Sequence, residues 1–117
     1  MIKRIFDLED RTLLFSKNCI TVCTELIPTI VNRELIIQLI RSSGSVGANY
    51  REANNASAKK EFYHRIGICR KEAKESEYWL QLLMHSCNSK NGTILQLADE
   101  ALQLSKIFAA IRLKRTS

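Results

Sequence analysis

The sequence predicts an all-α fold, an antiparallel up-down-up-down four-helix bundle. Apolar residues recur at alternating steps of three and four in four separate stretches, no window of comparable length alternates like a strand, and the connections are short. With 117 residues, 45% of them hydrophobic, four Gly and a single Pro, the chain suits one globular domain, 1–117.

The helices are expected at about 8–27, 33–54, 58–86 and 94–112. Asp7 and Asp10 resemble a capped start, after which Leu8, Thr12, Phe15, Cys19, Val22 and Leu26 form one seam that Pro28 stops. Asn32 is the expected N-cap of the second helix, with seams Ile36, Ile40, Ser43, Gly47, Tyr50 and Leu35, Leu39, Ser42, Val46, Asn49, Ala53. Ser57 is the expected cap of the third, whose seam of Phe62, Ile66, Cys69, Ala73, Ser76, Leu80 and Leu83 runs without a breaker. Ser86 to Gly92 is a turn by composition, and Thr93 caps a fourth helix with seams Ile94, Leu97, Ala101, Leu104, Phe108, Ile111 and Leu95, Ala98, Leu102, Ser105, Ala109. The stretch Ser42-Ser43-Gly44-Ser45-Val46-Gly47-Ala48 has the composition of a loop. Its heptad phase nevertheless runs unbroken from Leu39 through Val46 to Ala53, which predicts a helix with small faces.

Lys and Arg total 18 against 12 Asp and Glu, a net charge of +6 that suits anionic partners. The excess is segregated: residues 58–74 carry +4 and 101–117 carry +4, whereas 75–100 carry −3. At 100° per residue, Lys59, Lys60, Arg70, Lys71 and Lys74 fall within an arc of roughly 120°, away from the Phe62, Ile66, Cys69 seam. The tail adds Arg112, Lys114 and Arg115. Clustered cations of this kind suit phosphate tracking, because neutralising several phosphates releases counterions. An ordinary solvated face with Glu61 and Glu72 interspersed would present much the same pattern. No exposed aromatic run or recognition helix points to base reading, so any binding is expected to be sequence-tolerant.

Other chemistry is thin. Glu61-x-x-His64 has the spacing of a carboxylate-bridged di-iron ligand pair, but the second copy such a site needs is missing, because Leu82 stands three residues before His85. Four Cys are sparse for a disulfide scaffold; reduced thiols are expected, with Cys19 and Cys23 as small core residues and no metal or other cofactor. The all-α ribonuclease arrangement of an Arg four to six residues ahead of a His is absent at both His64 and His85, and Ser42 to Ser45 have neither base nor elbow. A non-enzyme is expected. Trp79 and Tyr78 suit a partner-binding hot spot, although Trp79 neighbours the Leu80 seam and fits the core better. The opening residues turn acidic at Asp7 before an apolar h-region develops, and no apolar run approaches ~20 residues, so no leader or membrane span and a cytoplasmic location are expected.

The run Asn32-Arg33-Glu34, Gln38-Leu39, Arg41-Ser42-Ser43-Gly44-Ser45-Val46-Gly47-Ala48-Asn49-Tyr50-Arg51-Glu52-Ala53 resembles the signature of a bacterial four-helix-bundle family encoded in intervening sequences of 23S ribosomal RNA genes. Phe6-Asp7-Leu8-Glu9, Phe62, Glu72-Ala73-Lys74-Glu75-Ser76 and Tyr78-Trp79-Leu80 extend the match over nearly the whole chain. The resemblance implies an antiparallel bundle that assembles as a ring-like homopentamer. It also implies kinship with the accessory variability determinant of diversity-generating retroelements, a basic barrel that binds a reverse transcriptase and nucleic acid. No enzymatic activity is implied.

Two functions follow as expectations: a basic homo-oligomer that binds RNA or DNA, or a scaffold whose partner is another protein such as a reverse transcriptase. On the second helix, Arg41, Ser45, Ala48 and Glu52 fall opposite the core seams, and the small Ser45 and Ala48 at the centre of that face suit an oligomer interface. The hairpin between the second and third helices sets Arg41 level with Glu72 and Glu75, so a pair with one of them, in its own subunit or a neighbour's, is expected.

Overall fold

A computed structural model describes residues 7–87 and 92–116; the matching Phe6 and the expected turn residues 88–91 lie outside them. Asp7 opens α1 (Leu8–Thr24), its carboxylate accepting the Asp10 N–H at 3.3 Å. The helix ends three residues before the expected position. Pro28 has no N–H to offer and disfavours helical geometry in the residue before it. The last turn tightens instead, with the Glu25 N–H reaching Val22 O at 3.0 Å.

Thr29, not Asn32, caps α2 (Ile30–Asn54), its hydroxyl accepting the Asn32 N–H at 3.0 Å. Asn32 has a different task. It is buried, donates to Ile27 O at 2.9 Å and accepts from the Ser86 hydroxyl, so it ties the start of α2 to the end of α3 (Lys59–Ser86). Ala58, not Ser57, holds the cap position of α3, and no side chain caps there. In α4 (Gly92–Leu113), Thr93 falls inside the first turn, and a short 3-10 turn over Lys114–Thr116 follows.

Most seam positions bury as expected, but Ile40 and Leu95 are 39% and 58% exposed. Leu8, Thr12, Phe15, Cys19 and Val22 meet Leu39, Val46 and Ala53, Ile66, Cys69, Ala73, Leu80 and Leu83, and Ile94, Leu97, Ala101, Leu104 and Phe108 in one core. The four helices run antiparallel to their neighbours, because Ser42 meets Ser76, the Val46 carbonyl meets Cys69, and Asn49 meets Arg65 as the chain descends α2 and climbs α3. The all-α four-helix bundle is therefore observed. No described helix is long and apolar enough to cross a membrane.

The glycine-bearing segment of α2 is helical throughout. Its small residues set two approaches. On one side the Ser42 and Ser76 hydroxyls are 2.8 Å apart and fully buried; on the other, Gly47 lies under Thr12 of α1. Arg11 and Glu100 hold α1 to α4 by two parallel bonds of 2.8 Å, where the packing is looser and leaves an open groove of about 320 Å³ over Phe15 and Leu97.

The two α2 glycines differ in what a methyl group would meet. At Gly47 a Cβ would sit 3.0 Å from Thr12 Oγ1 and 3.3 Å from Thr12 Cβ, whereas at Gly44 the nearest atom, Ser16 Oγ, is 3.9 Å away. Thr12 is buried and its hydroxyl is already committed to Leu8 O, so it has little room to yield. Gly44→Ala is expected to raise stability by about 0.5–1 kcal/mol through helix propensity. Gly47→Ala is expected to lower it by about 1 kcal/mol, overpacking outweighing the same gain. Urea unfolding of the two variants checks the opposite signs.

Candidate nucleic-acid interface

Antiparallel pairing brings the start of α3 and the end of α4 to the same end of the bundle, so two basic segments about forty residues apart in sequence become neighbours. Lys59, Lys60, Lys71 and Lys74 are exposed on α3, and Arg70 is half-buried. Arg112, Lys114 and Arg115 are exposed at the end of α4 and in the turn after it. Of these residues, the structure gathers Arg70, Arg112 and Arg115 around one open cavity of about 510 Å³ whose remaining lining is Ala109 and Leu113. Lys71 lies 4.0 Å from Glu75, an exposed pair of little energetic weight.

Gly67 is the residue that the sequence patterning passed over. A Cβ there would stand 3.2 Å from Cζ and Nε of Arg112, so the missing side chain lets the guanidinium lie across α3 one turn from Arg70. The usable signal was a glycine in a helix interior next to a basic arc, where it costs about 1 kcal/mol and the core has no use for it.

Arg41, Ala48 and Glu52 are exposed on the outer side of α2, but Ser45 is half-buried, its hydroxyl accepting from Asn49 Nδ2 at 2.9 Å beside the Asn49–Arg65 bond. Ser45 therefore borders α3 instead of centring the outer face. The residues that extend that face are Ile30 and Ile37, 82% and 52% exposed, and across a groove of about 270 Å³ Ala48 faces Leu13 of α1. Arg41 forms no ion pair among the described residues. It is close enough to draw the Glu72 carboxyl downward, although burial first, then Glu75, leave Glu72 above its ordinary range. The hairpin set the height correctly, while rotation about α2 follows Ser42, whose small hydroxyl takes the closest approach to α3.

Trp79 packs against the core and Tyr78 is exposed beside it, ring centroids 5.2 Å apart. Glu61 and His64 are exposed on α3, and among the described residues no three His, Cys, Asp or Glu side chains come together.

A small antiparallel four-helix bundle with basic segments at one end defines the class of protein. Within that class, the family model for the 23S rRNA-intervening sequence protein matches residues 7–110, and the chain belongs to this family. A crystal structure of a protein of unknown function from the S23 ribosomal protein family of Bacteroides thetaiotaomicron has the same fold, with a TM-score of 0.77 and 27% identity, over 89% of this chain and 96% of that one. No curated protein matches.

The thiols sit in the core as the seams imply. Cys19, Cys23 and Cys69 are buried, and burial pushes them up to about 12, about 11 and about 12 from an ordinary 9.0. Because the folded chain holds these protons more tightly than the unfolded one, their contribution is constant below pH 9.0 and is lost as pH rises from there toward about 12. Near neutral pH a thiol reagent is expected to modify half-buried Cys87 alone, and all four cysteines only after denaturant is added. Native modification of a second thiol would contradict the burial.

Proposed function

We propose that the chain is a non-enzymatic homo-oligomeric protein that binds RNA or DNA through the end of the bundle where α3 begins and α4 finishes. The observation that carries this reading is the convergence of Arg70, Arg112 and Arg115 on one cavity, with no carboxylate within ion-pair distance of any of them among the described residues. Elsewhere Arg11 has Glu100, Arg51 reaches Glu9 at 4.0 Å, and Arg65 has Asn49. Arginine stays protonated, so such a cluster is relieved by an anion from outside the chain. Lys59, Lys60 and Lys74 extend the positive surface along α3. The cations stand on helix sides without a protruding reading element, which suits backbone contact over base contact.

Fluorescence anisotropy with generic single-stranded and structured RNA across a salt series tests the reading. The affinity is expected to fall linearly on a log–log plot, and Lys59→Gln with Lys60→Gln to flatten the single-strand slope by about 0.7 per contact removed. Binding that ignores salt, or no binding at low salt, overturns it.

The proposed assembly rests on α2 and α1. Ile30, Ile37 and Ala48 on α2, with Leu13 and Ile20 on α1, leave apolar and small side chains exposed on one side of the single chain. A ring-like pentamer, the arrangement implied by the family resemblance, would bury them. Ala48→Glu is expected to split the assembly and leave helicity unchanged, because the carboxylate is solvated in the single chain and unpaired in an interface. A monomeric wild type in light scattering, or a fully assembled Ala48→Glu variant, overturns the assembly.

A second reading, a scaffold for a protein partner such as a reverse transcriptase, draws on the other half of the α3/α4 face. There Glu77 and Asp99 flank Leu95 and Leu102 around an open cavity of about 500 Å³, and Tyr78 is exposed nearby on α3. Recovery of one protein partner after nuclease treatment would favour it.

A further inference from the structure

The three-arginine cavity differs in kind from the lysines beside it. Lys59, Lys60 and Lys74 are spread over four turns of one helix, as a surface that follows a strand would be. Arg70, Arg112 and Arg115 come instead from the middle of α3, the last turn of α4 and the turn after it, and they face a common space. The negative end of the α4 dipole favours cations at Arg112 and Arg115. It gives no account of Arg70, which lies far from either end of its own helix.

We propose that this cavity receives the terminal phosphate monoester of a nucleic-acid strand, an inference that rests on the nucleic-acid reading above. An internal phosphodiester carries one negative charge and two free oxygens, which a single arginine fork satisfies. A monoester carries about −1.5 to −2 at neutral pH and offers three strong acceptor oxygens. Three arginines lining one cavity, with no carboxylate in ion-pair distance of any of them among the described residues, match the monoester in charge and supply donors for its three acceptors. Gly67 contributes by absence, since a Cβ there would stand 3.2 Å from Cζ and Nε of Arg112 and the guanidinium would have to shift to make room. The apolar lining adds the second half of a nucleotide. Ala109 and Leu113 offer a surface for the end sugar or base, and about 510 Å³ is more space than a phosphate alone requires. Further along the same face the charge reverses at Glu77 and Asp99, so the strand is expected to leave toward Lys59 and Lys60 and not along the α3/α4 groove.

The test uses the full chain and one single-stranded oligonucleotide in four forms: RNA with 5′-phosphate, with 3′-phosphate, with hydroxyls at both ends, and the DNA counterpart with 5′-phosphate. A phosphorylated end is expected to bind on the order of tenfold more tightly than the hydroxyl form, the 5′ and 3′ arms showing which end is held. Arg70→Gln and Arg112→Gln are expected to remove that preference and to weaken the hydroxyl form only slightly. Gly67→Ala is expected to keep the fold, checked by circular dichroism and melting, and to reduce the preference by moving Arg112. Lys59→Gln should weaken all forms alike. Equal affinity for phosphorylated and hydroxyl ends with the salt dependence intact overturns the end-phosphate site and leaves the strand-binding reading standing. A preference that survives both arginine variants also overturns the site, and failure of every form to bind at low salt overturns both readings.

Discussion

The bundle depends on how closely α1 and α3 approach the middle of α2. Ser42, Ser43, Gly44, Val46 and Gly47 occupy fewer than two turns, and within them Ser42 touches Ser76 while Gly47 touches Thr12. Hydroxyls at this depth are tolerable only because each has an acceptor: Ser42 reaches Leu39 O, Ser43 reaches Ile40 O, and Ser76 reaches Glu72 O at 2.9 Å. A larger residue at Ser42 or Gly47 would hold the helices apart and disturb the packing that buries Leu39 and Val46 of α2 in the shared core.

From that crossing the functional surfaces follow. Once α2 and α3 are locked side by side, with the Asn32–Ser86 bond fixing one end and Asn49–Arg65 the other half, α4 must return along α3, and its last turn arrives beside Gly67 and Arg70. The same geometry leaves α1 less enclosed. It leans on α2 through Thr12 and is tied to α4 by the Arg11–Glu100 fork, while Leu13 and Ile20 remain exposed beside the outer side of α2. The positive end and the apolar side are thus separate surfaces of one bundle, which allows the proposed assembly and the proposed nucleic-acid binding to be addressed by different substitutions.

Much of this is legible in the sequence alone. The alternating three-and-four seams named nearly every fully buried side chain, including Cys19, Cys69 and the small Ala73 and Ser76, because burial in a bundle requires apolar or small groups at helical period. The Ser42–Ala48 segment was legible for the same reason: phase is preserved only if the backbone keeps turning. Helix ends were read less well, since Thr29 and Asn32 are both acceptable caps by chemistry and only the burial of Asn32 against Ser86 separates them.

By itself, the sequence determined the four helices, the faces they bury, and the two segments that carry the positive charge, because these depend on local spacing and on residue type. Tertiary structure alone decided which charges meet. Arg70 and Arg112 stand on different helices, and their convergence depends on the rotation of α4 about its axis and on a glycine whose effect is felt only by a residue forty-five positions away. It also decided that Arg41 comes near Glu72 without an ion pair among the described residues and that Ser45 turns toward α3, since rotation about α2 is set by the closest packing at Ser42 and is invisible to any one-dimensional pattern.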